Sequence, residues 1–163
     1  RRLSVALDLV GGIHQTRGDL DAALAAFTEA LDLARRVRAA YGDTPDSLRD
    51  LLIALNRVGD IHRARGDLEA ALAAYADALD LARRIHASYG DTPRSLQDVS
   101  TVLRKIGALY EARQEPAAAY HAHGEALRWY ERLFDQYGPP HASEVELTEL
   151  REAARRARAA AEG

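Results

Sequence analysis

The sequence predicts an all-α protein, a right-handed superhelical solenoid of antiparallel helix hairpins with about seven helices. Three observations lead there. Gly18-Asp19-Leu20 returns as Gly66-Asp67-Leu68, and Tyr41-Gly42-Asp43-Thr44-Pro45 returns as Tyr89-Gly90-Asp91-Thr92-Pro93, both at an offset of 48 residues. Residues 17–48 and 65–96 agree at 24 of 32 positions, self-similarity that marks stacked copies of one supersecondary unit. Within each period the apolar residues recur at steps of three and four, the spacing of one helix face.

Each period holds two helices. In the second copy the first runs from about Pro45 to Arg65, with Leu48, Leu51, Leu52, Leu55, Val58 and His62 along one side. Thr44 is placed to cap it, since its hydroxyl can accept from a free backbone N–H of the first turn. Pro45 loses nothing there by lacking an N–H of its own. Gly66 stops this helix and Asp67 caps the next. That helix runs from about Leu68 to Ser88 with Leu68, Ala71, Leu72, Tyr75, Leu79, Ala82 and Ile85 on its apolar side. Gly59 is expected to let the first helix approach Ala71 on the second. Arg35-Arg36 and Arg83-Arg84 fall in closing turns, where cations complement the carbonyl end of a helix.

The hairpins are assigned to 1–42, 43–90 and 91–138 within a single 1–163 domain. The first starts inside a helix, because the counterpart of the Thr44-Pro45 cap would precede residue 1. The third is looser. Residues 141–161 read as one more helix, with Leu147, Leu150, Ala154 and Ala157 on one side, and cap the array. Trp129 aligns with Leu81 and Leu33 and is expected beneath that cap.

Composition narrows the function. With 47% hydrophobic and 29% charged residues the chain is not of a disordered type. A net charge of −3 offers no basic footprint for nucleic acid. The lack of Cys excludes disulfides and thiolate chemistry and fits a cytoplasmic location. No apolar run nears the roughly 20 residues of a membrane helix. With no Met and an Arg1-Arg2 start, the chain reads as a piece of a larger protein. Two Phe and one Trp leave the core to small side chains and close helix approach.

The residues Leu55, Val58, Gly59, His62, Gly66, Ala71, Tyr75 and Ala78 resemble the tetratricopeptide (TPR) pattern. The first copy repeats it as Leu7, Val10, Gly11, His14, Gly18, Ala23, Phe27 and Ala30. The third reads Leu103, Ile106, Gly107, Tyr110, Gln114, Ala119, His123 and Ala126, departing at Gln114 and His123. The period of 48 exceeds the family's usual length of about 34. In this the chain is similar to long-helix TPR arrays of bacterial signalling proteins, which follow STAND-type NTPase or protease-like effector domains and act as their sensors.

The resemblance implies a protein or peptide partner in a groove lined by the first helix of each pair. Its positions correspond here to Val5, Asp8, Gln15, Ile53, Asn56, Asp60, Arg63, Thr101, Arg104 and Glu111. Val5 and Ile53 are apolar at otherwise polar positions, and are either stray surface residues or contacts. Asp8 and Gly12 stand where a chaperone-tail clamp needs Asn and a cation, so no such tail is expected. The alternative is a structural role, with the array self-associating through its first helix.

Chemistry finds little support, and no enzyme activity, cofactor or metal is expected. His121 and His123 lie two apart, on different helix faces, and lack the i, i+4 spacing of a zinc pair. His14 and His62 read as inter-helix packing residues. There is no phosphate loop and no nucleophile elbow. Arg151, Arg155, Arg156 and Arg158 read as a solvated face.

Overall fold

Backbone chemistry at the turns sets the helix borders. The computed structural model describes residues 2–163, and side chains from residue 6 onward. Its helices are α1 (Arg2–Thr16), α2 (Leu20–Tyr41), α3 (Pro45–Ala64), α4 (Leu68–Tyr89), α5 (Pro93–Ala112), α6 (Pro116–Tyr137) and α7 (Glu144–Glu162). Thr44 and Thr92 each accept from the N–H of a serine three residues on, at 3.2 and 3.0 Å. Ser47 and Ser95 accept in return from the threonine N–H, at 3.0 Å in both copies, completing a capping box. Each serine hydroxyl also reaches the preceding glycine's carbonyl, 2.7 Å to Gly42 and 2.6 Å to Gly90. Two buried serines thus tie the end of one hairpin to the start of the next.

Turns within hairpins follow one plan three times. Gly18 and Gly66 take left-handed φ values of 77° and 79°, and Gln114 takes 59° at the same place. The N–H of the next residue closes each turn on His14, His62 and Tyr110 carbonyls at 2.9 Å. Gln114 therefore makes the glycine's hydrogen bonds while carrying a Cβ that this conformation disfavours.

The chain divides into two compact units, Arg1–Leu81 and Ala82–Gly163, with the boundary inside α4. In the first unit, bare glycines receive rings from the partner helix. A Cβ built on Gly11 would lie 2.6 Å from Phe27, and one on Gly59 would lie 2.5 Å from Tyr75. The Gly59 notch thus holds the Tyr75 ring, where the sequence pointed to Ala71. Phe27 and Tyr75 are fully buried. Arg65, at the C-cap of α3, pairs with Asp21 of α2 at 3.0 Å. α3 is buried on a wider arc than the leucine pattern predicts, because Ala54 and Ile61 are also covered, at 3% and 0% exposure.

In the second unit the same notch at Gly107 receives His123, 2.6 Å from a would-be Cβ. Ser100 donates to the Ala126 carbonyl at 2.8 Å, a further tie between α5 and α6. α7 packs on α6. The aromatic residue beneath it is Tyr130, 1% exposed, whose hydroxyl accepts from the Ser143 N–H at 2.8 Å and donates to Glu146 at 3.0 Å. Trp129, expected there, instead lies half-buried with its ring edge-on to His86 at 4.7 Å. Asp91 gathers this side of the unit. Its carboxylate meets His86 at 2.7 Å, Gln136 at 3.1 Å and Arg132, and its carbonyl accepts from Tyr137. Those bonds, His86 first, hold the Asp91 carboxyl below its ordinary range.

Two stability measurements check this packing. Gly59→Ala forces a methyl into the Tyr75 ring and should lower unfolding free energy by roughly 1–3 kcal/mol. Gln114→Gly removes the left-handed Cβ without touching the core and should raise it by about 1 kcal/mol. Chemical denaturation of the two variants beside the parent reads both.

Candidate functional site

The two buried sides of α3 leave one strip uncovered. Leu48, Leu51, Leu52 and Leu55 face the core, with Ala54, Val58 and Ile61 beside them. The remaining arc, at helical spacing, carries Ile53, Asn56, Asp60 and Arg63. Ile53, Asn56 and Asp60 are half-buried and Arg63 is exposed. Asn56 donates through Nδ2 to the Leu52 carbonyl at 3.0 Å, while its Oδ1 is buried without a hydrogen-bond partner. Asp60 is already engaged, accepting from the Tyr75 hydroxyl at 2.5 Å. Burial and that carboxylate push the Tyr75 hydroxyl well above its ordinary pKa.

On α1 the corresponding residues are Asp8 and Gln15, both half-buried. Val5 lies outside the described side chains. Asp8 has a buried Oδ1 without a partner, and burial raises its pKa, Arg57 opposing and Asp50 reinforcing the shift. In the first unit the buried polar atoms without a hydrogen-bond partner among the described residues are Asp8 Oδ1, Asn56 Oδ1 and His62 Nδ1. A buried polar atom left unmet is costly, so these positions carry a local stability penalty.

In the second unit the predicted residues are placed differently. Thr101 is half-buried on α5. Arg104 is paired with Glu146 of α7 at 3.3 Å. Glu111 lies 3.3 Å from the Nε2 of buried His123, a distance of attraction without the alignment of a hydrogen bond, and both ring nitrogens stay unbonded. Arg104 and Glu111 thus serve contacts within the unit.

A groove of about 470 Å³ opens beside Glu111. Pro116, Ala119, Ala157 and Ala160 line its apolar part, and Arg156 stands on its wall. None of these was a predicted site residue. The signal lay in the repeat register: Ala157 stands 48 residues after Leu109 and 96 after Ile61. Both predecessors are large and fully buried, so the small residue leaves room at the third hairpin's turn. Among the described residues no three His, Asp or Glu side chains converge as metal ligands would.

His123 supplies the pH dependence of this region. Burial lowers its pKa below 6.5, Glu111 pulling the other way and Arg156 and Arg104 adding to the decrease. The folded state thus holds the ring neutral while the unfolded chain protonates near the ordinary value. Stability is full above about pH 6.5 and falls as pH drops, by at most about 1.4 kcal/mol per pH unit for one group. Denaturation of the parent and His123→Phe at pH 7 and pH 5 should show a larger acid loss in the parent. Equal losses would mean that His123 is not held neutral.

Two profiles described as tetratricopeptide repeat match residues 50–119 and 4–38. No curated protein matches at a significant level. Among solved structures, BtubC (BKLC) from P. vanneervenii superimposes with a TM-score of 0.73 at 18% identity, over 97% of this chain and 56% of its own. The chain therefore spans little more than half of that protein, and the likeness is one of fold. The de novo designed helical repeat protein DHR64 gives a TM-score of 0.42 at 19% identity, over 98% of this chain and 81% of its own. MamA gives 0.33 at 18%, over 96% and 92%.

Proposed function

The chain belongs to the tetratricopeptide-repeat family, whose repeats generally mediate protein–protein interaction or scaffolding, and we propose that it binds a protein or peptide along the open strip of α1 and α3. The observation that carries this is the open arc of α3, where half-buried Ile53 and Asn56 lie apart from the leucine face, with half-buried Gln15 at the corresponding register of α1. A partner segment with one aliphatic side chain for Ile53 and polar groups for Gln15 and Arg63 has the matching chemistry. In the parent protein the module serves as the sensor or scaffold of a bacterial signalling or defence system in the cytoplasm. That part of the reading rests on the long, 48-residue repeat. A non-enzymatic role fits the same picture.

Arg104 and Glu111, in use by Glu146 and His123, are poor positions for a test. Ile53→Lys and Asn56→Leu alter the strip with little effect on the core. With a partner captured from the native cell by the intact chain and then purified, each substitution should weaken affinity at least about tenfold, or about 1.4 kcal/mol. Titration calorimetry gives the numbers, and circular dichroism checks that both variants stay folded. Parent-like affinity in both would move the site away from α3.

A further inference from the structure

The third hairpin and α7 depart from the repeat at positions that come together. Gln114 stands where the other copies carry Gly18 and Gly66, and Pro116 where they carry Leu20 and Leu68. Ala157 of α7 stands where α5 and α3 carry Leu109 and Ile61. All three line the groove of about 470 Å³ between the α5–α6 turn and α7. Two of these changes remove side-chain volume, and that makes the space. The other adds a side chain to it. Gln114 keeps the left-handed φ of the glycines, at 59°, a conformation that a residue with a Cβ rarely adopts. Strain of this kind collects at binding sites, where the side chain is used.

The charged groups of the groove are differently engaged. Glu115 is paired with Arg113 at 2.6 Å. Glu111 has the ring of His123 beside it at 3.3 Å. Burial holds that ring neutral, so the Glu111 charge is not offset. Arg156, exposed on the α7 wall, meets no carboxylate among the described residues. The groove thus sets one unmatched anion and one unmatched cation around an apolar floor of Pro116 and Ala157, the few polar groups on apolar walls that a binding site needs. The Gln114 amide adds a donor and an acceptor, the same pair that a peptide unit offers.

We propose that this groove is a binding site separate from the strip of α1 and α3, and that it takes a short peptide segment whose aliphatic side chain is flanked by one acidic and one basic residue. The aliphatic side chain enters the space that Leu109 and Ile61 fill at the same register. The acidic residue meets Arg156, the basic residue meets Glu111, and Gln114 bonds the backbone between them. A ligand of one charge sign would face its like on one wall. A wholly apolar ligand would strip water from both charges without pairing either.

Heteronuclear NMR on the whole chain tests this, with the end-blocked tripeptides Glu-Leu-Lys and Lys-Leu-Glu as probes. At least one of them should shift the amides of residues 111–119 and 153–160 in a saturable way, with a dissociation constant on the order of 1 mM. Serine in place of the leucine of that peptide should weaken binding roughly tenfold. Ala157→Leu, which restores the residue type of α5, should fill the groove and abolish the shifts. Gln114→Gly, which restores the turn of the other copies, should weaken binding about threefold or more. Circular dichroism checks that both variants stay as helical as the parent. The titration reads residues of the second unit, so its outcome is independent of the strip on α1 and α3. Three results overturn the proposal. One is no saturable shift in the groove with either peptide. Another is a serine peptide, or blocked leucine alone, that binds as tightly as the leucine tripeptide. The last is a pair of folded variants that both bind like the parent.

Discussion

A ring seated on a bare glycine is the contact on which the rest of this molecule depends. It occurs as Gly11 with Phe27, Gly59 with Tyr75 and Gly107 with His123. In each, the ring comes from the residue sixteen positions on. Any Cβ at the glycine would stand 2.5 to 2.6 Å from the ring, far inside van der Waals contact. That notch lets two long helices close up with a core built mainly of alanine and leucine. Forty-eight residues after Gly107, α7 carries Arg155, so its surface has no such seat for a ring.

Close approach of paired helices decides what is left for binding. α3 turns leucines toward the core and a second set, Ala54, Val58 and Ile61, toward a neighbouring face. Only one arc stays open. The polar groups on that arc are not all available, and their engagement follows from the notch. Tyr75, whose ring lies over Gly59, places its hydroxyl on Asp60, the next residue. His123 has a shorter side chain and finds Glu111, one turn further along. One repeat position therefore engages a different strip residue in the second and third copies and none through Phe27 in the first, and the surfaces diverge although the backbone plan does not.

Most of the fold was legible in the sequence because it is a matter of period and caps. Thr44-Pro45, Gly66-Asp67 and the leucine spacing predicted helix borders to within about two residues, and the helices fall there. What could not be read was which neighbour fills a given space. Gly59 is equally consistent with Ala71 or Tyr75 opposite, since both lie on the facing side of α4. Trp129 and Tyr130 are adjacent aromatics, and only the path of α7 decides which of them lies beneath it. The departures at Gln114 and His123 looked like decay of the third copy. Both preserve the repeat's geometry, one at the expense of backbone comfort and the other by burying an ionisable ring. The open strip was predicted as a line of ten residues. The pairing of Arg104 with Glu146 depends on a helix outside the repeat pattern, so repeat logic had no means of showing it.

The most direct test of the glycine–ring contact is a double-mutant cycle on Gly59→Ala and Tyr75→Ala, read by chemical denaturation. If the ring fills the notch, the added methyl is costly only while the ring is present. The account predicts a coupling energy of at least about 1 kcal/mol between the two sites, within the range for residues in contact. Additive effects, with Gly59→Ala equally destabilising in both backgrounds, would contradict it.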